Sequence, residues 1–273
     1  MPYLTMIDST RIYYEDIGKG ETILFTHGLC SSHLEFKALI NEFKSNYRCI
    51  SYDHRGHESS DKPKIHMNLK TLAQDLNELI EYLNLSNITI IGHSLGGAVI
   101  FNYINQFGCS KLKRVIIADM SPYMRNDGWK GGISNGKWTD KDFLIDMDNF
   151  FDDIGKANWR IVVECMLPGN KNKSIETKQD SPPSSVFNPT EPFVMSSLWW
   201  PLFRTDQRPF ISKITVPFIY IMPQYGLYSM EAVNFYKENV KGGFILENIS
   251  DTTHSLLTEK PHEIAECIKK HLS

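Results

Sequence analysis

The chain has 273 residues, which accommodates one large α/β domain with an insertion or two small domains. Hydrophobic residues at 41% and charged residues at 22% are ordinary for a soluble globular protein, and a net charge of −3 gives no basis for nucleic acid or an anionic membrane as a partner. The opening Met1-Pro2-Tyr3-Leu4-Thr5 lacks a basic region followed by an apolar stretch, and no run approaches the roughly 18 apolar residues of a membrane span. Five scattered cysteines (Cys30, Cys49, Cys109, Cys165, Cys267) without Cys-x-x-Cys spacing suit reduced thiols, not a zinc site or a disulfide framework. The expectation is a cytoplasmic protein without a signal peptide.

In chain order, residues 3–8 and 11–16 are short alternating segments joined at Ser9-Thr10, which predicts a hairpin at a sheet edge. After the turn Gly18-Lys19-Gly20, residues 22–26 form a buried strand that ends in His27-Gly28-Leu29-Cys30. Ser32-His33-Leu34-Glu35 has the capping-box form, with Leu34, Leu39, Ile40 and Phe43 near helical spacing behind it. A further strand, Tyr47–Tyr52, runs into Asp53-His54-Arg55-Gly56-His57-Glu58-Ser59, whose glycine and paired charges suit a tight structural loop. Leu69, Leu72, Leu76, Leu79, Ile80 and Leu83 then step by three and four, one face of a helix.

Residues 88–98 organise the rest of the chain. Ile88, Thr89, Ile90 and Ile91 read as a buried strand, Gly92-His93-Ser94-Leu95-Gly96 as a sharp turn, and residues 98–107 as a helix closed by Gly108. A serine on so tight a turn lifts its hydroxyl clear of the backbone. Side chains two residues to either side would collide with the neighbouring strand and helix, so both positions require glycine. The Leu95 N–H then points to where an oxyanion would form.

Val115, Ile116, Ile117 and Ala118 form the next strand, ending at Asp119. Strands alternating with helices predict a mostly parallel sheet covered on both faces. The rhythm breaks over residues 122–205, which hold all five tryptophans and a polar tract at 170–185. Helices are expected at 140–151 and 159–166, and a surface loop at 170–183. The chain therefore divides into a first part of an α/β core (1–121), an inserted cap (122–205) and a second part of the core (206–273). In the last part, a strand at 216–221, a helix at about 229–240 and a strand at 243–249 precede His254, and a closing helix begins near Pro261. No internal repeat is visible.

Gly92-His93-Ser94-Leu95-Gly96, His27-Gly28-Leu29, the Asp53 to Ser59 segment and His254 before the last helix, in this order, resemble the α/β-hydrolase superfamily over essentially the whole chain. The resemblance implies Ser94 as nucleophile, His254 as its general base, and the N–H groups of Leu29 and Leu95 as the oxyanion hole. No Gly-rich phosphate loop or metal-ligand cluster in the sequence suggests a nucleotide cofactor or a metal, so none is expected. His93 is expected to pack by hydrogen bonding. The sequence departs from the family at the acid. Many members carry an aspartate after the strand matching residues 216–221, but this chain has Met222-Pro223-Gln224-Tyr225-Gly226 there and no carboxylate before Glu231. The remaining candidate is Asp119, where a minority of the superfamily places its acid, and Asp251 is too near His254 to reach behind its ring. These roles imply a serine hydrolase that cleaves a small apolar ester or related acyl compound through an acyl-enzyme, with Trp129, Trp138, Phe143, Phe150, Phe151, Trp159, Trp199 and Trp200 as a hydrophobic pocket wall. Two alternatives stand beside it: a cofactor-free dioxygenase of the same fold, whose members have a second histidine where Leu95 stands, and a non-catalytic receptor on a hydrolase scaffold.

Overall fold

The structure, a computed structural model, describes residues 2–152 and 191–272. Eight strands make one sheet: β1 (Tyr3–Thr5), β2 (Arg11–Ile17), β3 (Glu21–Thr26), β4 (Tyr47–Tyr52), β5 (Ile88–His93), β6 (Leu112–Ala118), β7 (Phe218–Tyr225) and β8 (Phe244–Thr253). Their order across the sheet is β1-β2-β4-β3-β5-β6-β7-β8. β1–β2 and β2–β4 are antiparallel, and every pair from β4 to β8 is parallel.

The period-two alternation of the central strands sorts their side chains between two cores. Leu24, Ile50, Ile90, Val115 and Ile117 lie on one face, beneath α2 (Leu69–Tyr82) and α3 (Leu95–Phe107). Ile23, Phe25, Ile91, Ile116 and Ala118 lie on the other, against α1 (Lys37–Phe43) and the closing helix Pro261–Lys269. Both faces are buried, so the strands read as continuous apolar runs.

Several predicted elements differ in extent. The helix after the elbow starts at Leu95, not near residue 98, because its first turn contains Gly96 and Gly97, which carry no apolar signal. β7 continues through Pro223 to Tyr225. Pro223 lacks an N–H, but β6 pairs only as far as Ile221, so no bond to β6 is lost there. The capping box also differs. Ser32 accepts from Leu34 N–H and opens a 3₁₀ turn, His33–Phe36, ahead of α1. Glu35 N–H donates to the Ser32 carbonyl, but its carboxylate turns away from the Ser32 backbone, accepts from Gly28 N–H and meets the His93 ring.

Between β6 and β7 stand α4 (Asp140–Asp152) and α5 (Pro192–Arg204). Phe143 stacks on Phe203 with ring centres 4.6 Å apart, and Phe150 meets Trp199 edge-on at 6.3 Å. Trp200 also meets Phe143 at 5.4 Å though it is half exposed, and Phe151 is exposed. The expected helix at 159–166 and loop at 170–183, with Trp159 and Cys165, lie outside the described residues. No helix among the described residues is long and apolar enough to cross a membrane. The second half of the sheet is completed by α6 (Met230–Asn239) between β7 and β8, and α7 (Pro261–Lys269) closes the chain.

Candidate active site

Four parallel strands deliver the predicted site. β3 is followed at once by His27-Gly28-Leu29, β5 by Ser94, β6 by Asp119 and β8 by His254. All four positions therefore sit at the carboxyl edge of the sheet, where parallel α/β folds gather their ligands.

Ser94 has φ 51° and ψ −120°, a left-handed backbone that a non-glycine residue adopts at a cost of about 1–3 kcal/mol. Close packing on both sides enforces the turn. A Cβ on Gly96 would lie 2.0 Å from the Thr26 carbonyl oxygen of β3, and one on Gly92 would lie 2.6 Å from Ile100 Cδ1 of α3. Ser94 is half-buried, and its hydroxyl makes no hydrogen bond among the described residues.

His254 is buried, and its Nδ1 lies 2.7 Å from Asp119 Oδ2. The same oxygen accepts from Leu227 N–H at 3.0 Å. A carboxylate oxygen only accepts, so the His254 proton sits on Nδ1 and Nε2 keeps its lone pair. Burial and the neighbouring His93 push the His254 pKa down against the pull of Asp119, which favours a neutral imidazole. Asp119 itself has φ 43°, a second strained residue directly after a strand. Asp251, the other acid near His254, is exposed, and its N–H donates to Gln224.

The Gly28 turn lies against the elbow: a Cβ there would be 3.4 Å from Ser94 Cβ and 3.2 Å from His93 Nδ1. Leu29 N–H finds no acceptor among the described residues, and Leu95 N–H, first in α3, has no intrahelical acceptor. Both donors are unengaged next to the serine. The structure thus joins Asp119 to His254 directly and sets Gly28-Leu29 on Ser94. His254 reaches the elbow through His93, whose Nε2 is 2.8 Å from the His254 carbonyl. No hydrogen bond links Ser94 Oγ to His254 Nε2 among the described residues.

The Asp53 to Ser59 loop backs this turn. Asp53 accepts from the His33 backbone and ring and from Ser59 N–H. His54 N–H donates to His27 Nε2, and Cys30 N–H donates to His57 Nε2. Arg55 holds Asp75 through two 2.6 Å bonds and Asp8 through one of 2.8 Å.

One group among the described residues, Glu247, Cys267 and His271, has ligand atoms within 4.8 Å of one another. Burial pushes the Cys267 thiol up to about 12, and His271 is already paired with Glu247 at 2.7 Å.

A family model described as alpha/beta hydrolase fold matches residues 21–135. The non-heme chloroperoxidase CPO-A1 of Kitasatospora aureofaciens is 31% identical over 126 residues, 45% of each chain. The chain spans about half the length of the curated relatives it matches. Among solved structures, a bromoperoxidase from Bacillus anthracis superposes with a TM-score of 0.84 at 21% identity, covering 96% of this chain and 95% of that one. The esterase EaEST from Exiguobacterium antarcticum does so with a TM-score of 0.77 at 22% identity, covering 98% of each chain. At these identities the structural likeness shows the fold alone.

Proposed function

The chain has the α/β-hydrolase fold, and we propose that it is a serine hydrolase acting on a small, apolar carboxylic ester or related acyl compound. The observation that carries this reading is the 2.7 Å Asp119–His254 contact beside a strained, unengaged serine. Structural stability needs neither the left-handed Ser94 nor a buried acid aimed at His254 Nδ1, whereas acyl transfer needs both.

In the proposed reaction, Ser94 Oγ attacks the carbonyl carbon while His254 Nε2 takes its proton. Asp119 holds the imidazole in the Nδ1–H tautomer and stabilises the imidazolium. The oxygen that gains charge is met by the N–H groups of Leu29 and Leu95. His254 returns the proton to the leaving alkoxide, which leaves an acyl-Ser94. A water that loses its proton to His254 then attacks this ester, and Ser94 departs with that proton. The reaction requires a Ser94–His254 hydrogen bond in the substrate complex. The apolar substrate class rests on the composition of the aromatic segment between β6 and β7, the proposed cap, some of whose rings also pack on one another.

A fluorophosphonate probe and a panel of short chromogenic esters test the reading. The expected result is stoichiometric labelling of Ser94, ester turnover, and loss of both in Ser94→Ala. Full esterase activity in Ser94→Ala would refute it. Oxygen uptake without ester cleavage would favour the dioxygenase alternative, and slow or absent labelling would favour a receptor.

A further inference from the structure

Glu35 and His93 lie outside the triad, yet they touch three of the four segments that form the site. Glu35 Oε2 accepts from Gly28 N–H at 3.0 Å, and Oε1 lies 2.8 Å from His93 Nδ1. His93 Nε2 lies 2.8 Å from the backbone carbonyl of His254, and the two imidazoles face each other with centres 4.6 Å apart. Both side chains are nearly inaccessible, at 10% and 7% exposure, so a desolvated carboxylate meets a desolvated ring. Burying such a pair costs free energy, and an apolar pair of equal size would be at least as stable.

We propose that Glu35 and His93 are positioning residues, a second carboxylate–imidazole pair that ties the Gly28-Leu29 turn, the serine elbow and the His254 loop into one frame. The inference rests on the hydrolase reading of the site. Its chemistry follows from donors and acceptors. The His254 carbonyl can only accept, so His93 Nε2 carries a proton, and the Nδ1–Glu35 contact requires another. The titratable groups facing the His93 ring are Glu35 from the 3₁₀ turn, Asp119 from the end of β6 and His254 from the loop after β8. Burial opposes charge on His93, but the Glu35 carboxylate, and more weakly Asp119, raise its pKa. The second proton is shared between the Glu35 carboxyl and the ring, and the proposal places it on the ring, which sets an imidazolium next to the His254 imidazole. His93 lowers the pKa of His254, and Glu35 opposes it more weakly, so the pair as a whole pushes His254 down. The frame thus fixes where the oxyanion donors and the base stand, and it favours a neutral base.

Glu35→Gln separates charge from geometry. Its amide can donate to a neutral His93 and accept from Gly28 N–H, so both bonds persist while the ring loses its charge. Nitrogen-15 spectra of the wild-type protein are expected to show both His93 nitrogens protonated at neutral pH, and Glu35→Gln to show one. The acidic limb of kcat/KM should move to higher pH in Glu35→Gln. Glu35→Ala, which cuts both bonds, should lower kcat by about 10²-fold with little change in KM, and Glu35→Gln should recover much of that loss. A neutral His93 in the wild-type protein, or superimposable pH profiles for wild type and Glu35→Gln, would overturn the proposal. Should Glu35→Ala fail to fold, the wild-type spectra alone decide. Those spectra do not depend on turnover, so a charged His93 in a protein that cleaves no ester would sink the hydrolase reading and leave the pair standing.

Discussion

Gly226 lies so close to Asp119 that a Cβ on it would sit 2.7 Å from Asp119 Oδ1. The end of β7, where a carboxylate is missing, instead supplies room for an acid arriving from β6, and the next N–H, that of Leu227, donates to its other oxygen. The absence of an acid at β7 and the presence of one at β6 are two halves of one packing solution. Gly226→Ala should displace the Asp119 carboxylate and lower kcat by about 10²-fold, as expected for a misplacement near 1 Å. An alanine variant with wild-type kcat and kcat/KM would show that the carboxylate tolerates the shift.

Asp119→Asn should be harsher than its conservative geometry suggests. Asp119 Oδ2 serves both Leu227 N–H and His254 Nδ1, so an amide either keeps its oxygen there, uncharged and unable to stabilise the imidazolium, or turns its N–H₂ to His254 Nδ1, which orphans Leu227 N–H and moves the ring proton to Nε2. In the second arrangement Ser94 would lose its base. The expected loss in kcat is about 10⁴-fold, with the fold retained. Ester turnover and a thermal melt on the same sample check both halves.

How much of the site is legible in the sequence depends on the distance over which each constraint acts. Gly92, Ser94 and Gly96 obey a local rule, since a turn this sharp collides with its own flanks, and so five residues of sequence suffice. Asp119 can be reached by elimination along the chain. Glu35 cannot. Its Ser32-x-x-Glu35 spacing satisfies a local helix rule, but its partners are Gly28 and, 58 residues away, His93. Only the parallel order of β3 and β5 brings them together. Likewise, nothing in the sequence marks Gly226 until β7 is placed next to β6. The aromatic residues at 122–205 read as a pocket wall in the sequence, but several of them stack on one another, and periodicity cannot tell a core from a lining.

Acid should loosen the Gly28 turn before the rest of the sheet. Burial holds His27 well below the usual histidine range, with His54 at about 3 and His57 at about 4. Protonating His27 Nε2 would break its bond from His54 N–H, and His54 Nδ1 is buried without a partner. The unfolded chain takes up these protons near pH 6.5 and the folded chain does not, so stability is intact above pH 6.5 and falls as pH drops towards 4. The loss is roughly 2 kcal/mol per histidine by about pH 5. His33 and His93 act with the opposite sign: their folded pKa values are raised by Asp53 and Glu35 against burial, so their contribution is complete below pH 6.5 and is lost as pH rises through them. Denaturant midpoints at several pH values, repeated on His54→Gln, check the sign. A midpoint that rises between pH 6.5 and 5 would contradict it.

His254, the proposed base, should titrate on the acid side as well. His254 has its pKa lowered by burial and by His93, so the acidic limb of kcat/KM is expected below pH 6.5 and activity should be flat across neutrality. Solvent contact does not set this limb, because the ring is buried. His93→Asn, which removes the neighbouring ring, should therefore move the limb upward. A limb above pH 6.5 in the wild-type enzyme would mean that the pull of Asp119 outweighs both opposing causes.

Asp75 offers a test of stability apart from chemistry. It is buried, reaches Arg55 through two bonds, and so anchors the loop whose His54 and His57 back the Gly28 turn. Asp75→Ala leaves a buried guanidinium whose one remaining carboxylate partner among the described residues is Asp8, itself partly exposed. The expected destabilisation is about 3 kcal/mol, the low end for breaking a buried pair, because Asp8 retains part of the compensation. Asp8→Ala should cost less, since its partner keeps the bidentate contact. Chemical denaturation of the two variants measures the difference, and equal losses would show that the Arg55 charge is shared evenly between the two acids. At temperatures where Asp75→Ala remains folded, its kcat/KM should follow the wild-type pH profile, because no group that touches the His254 ring has changed.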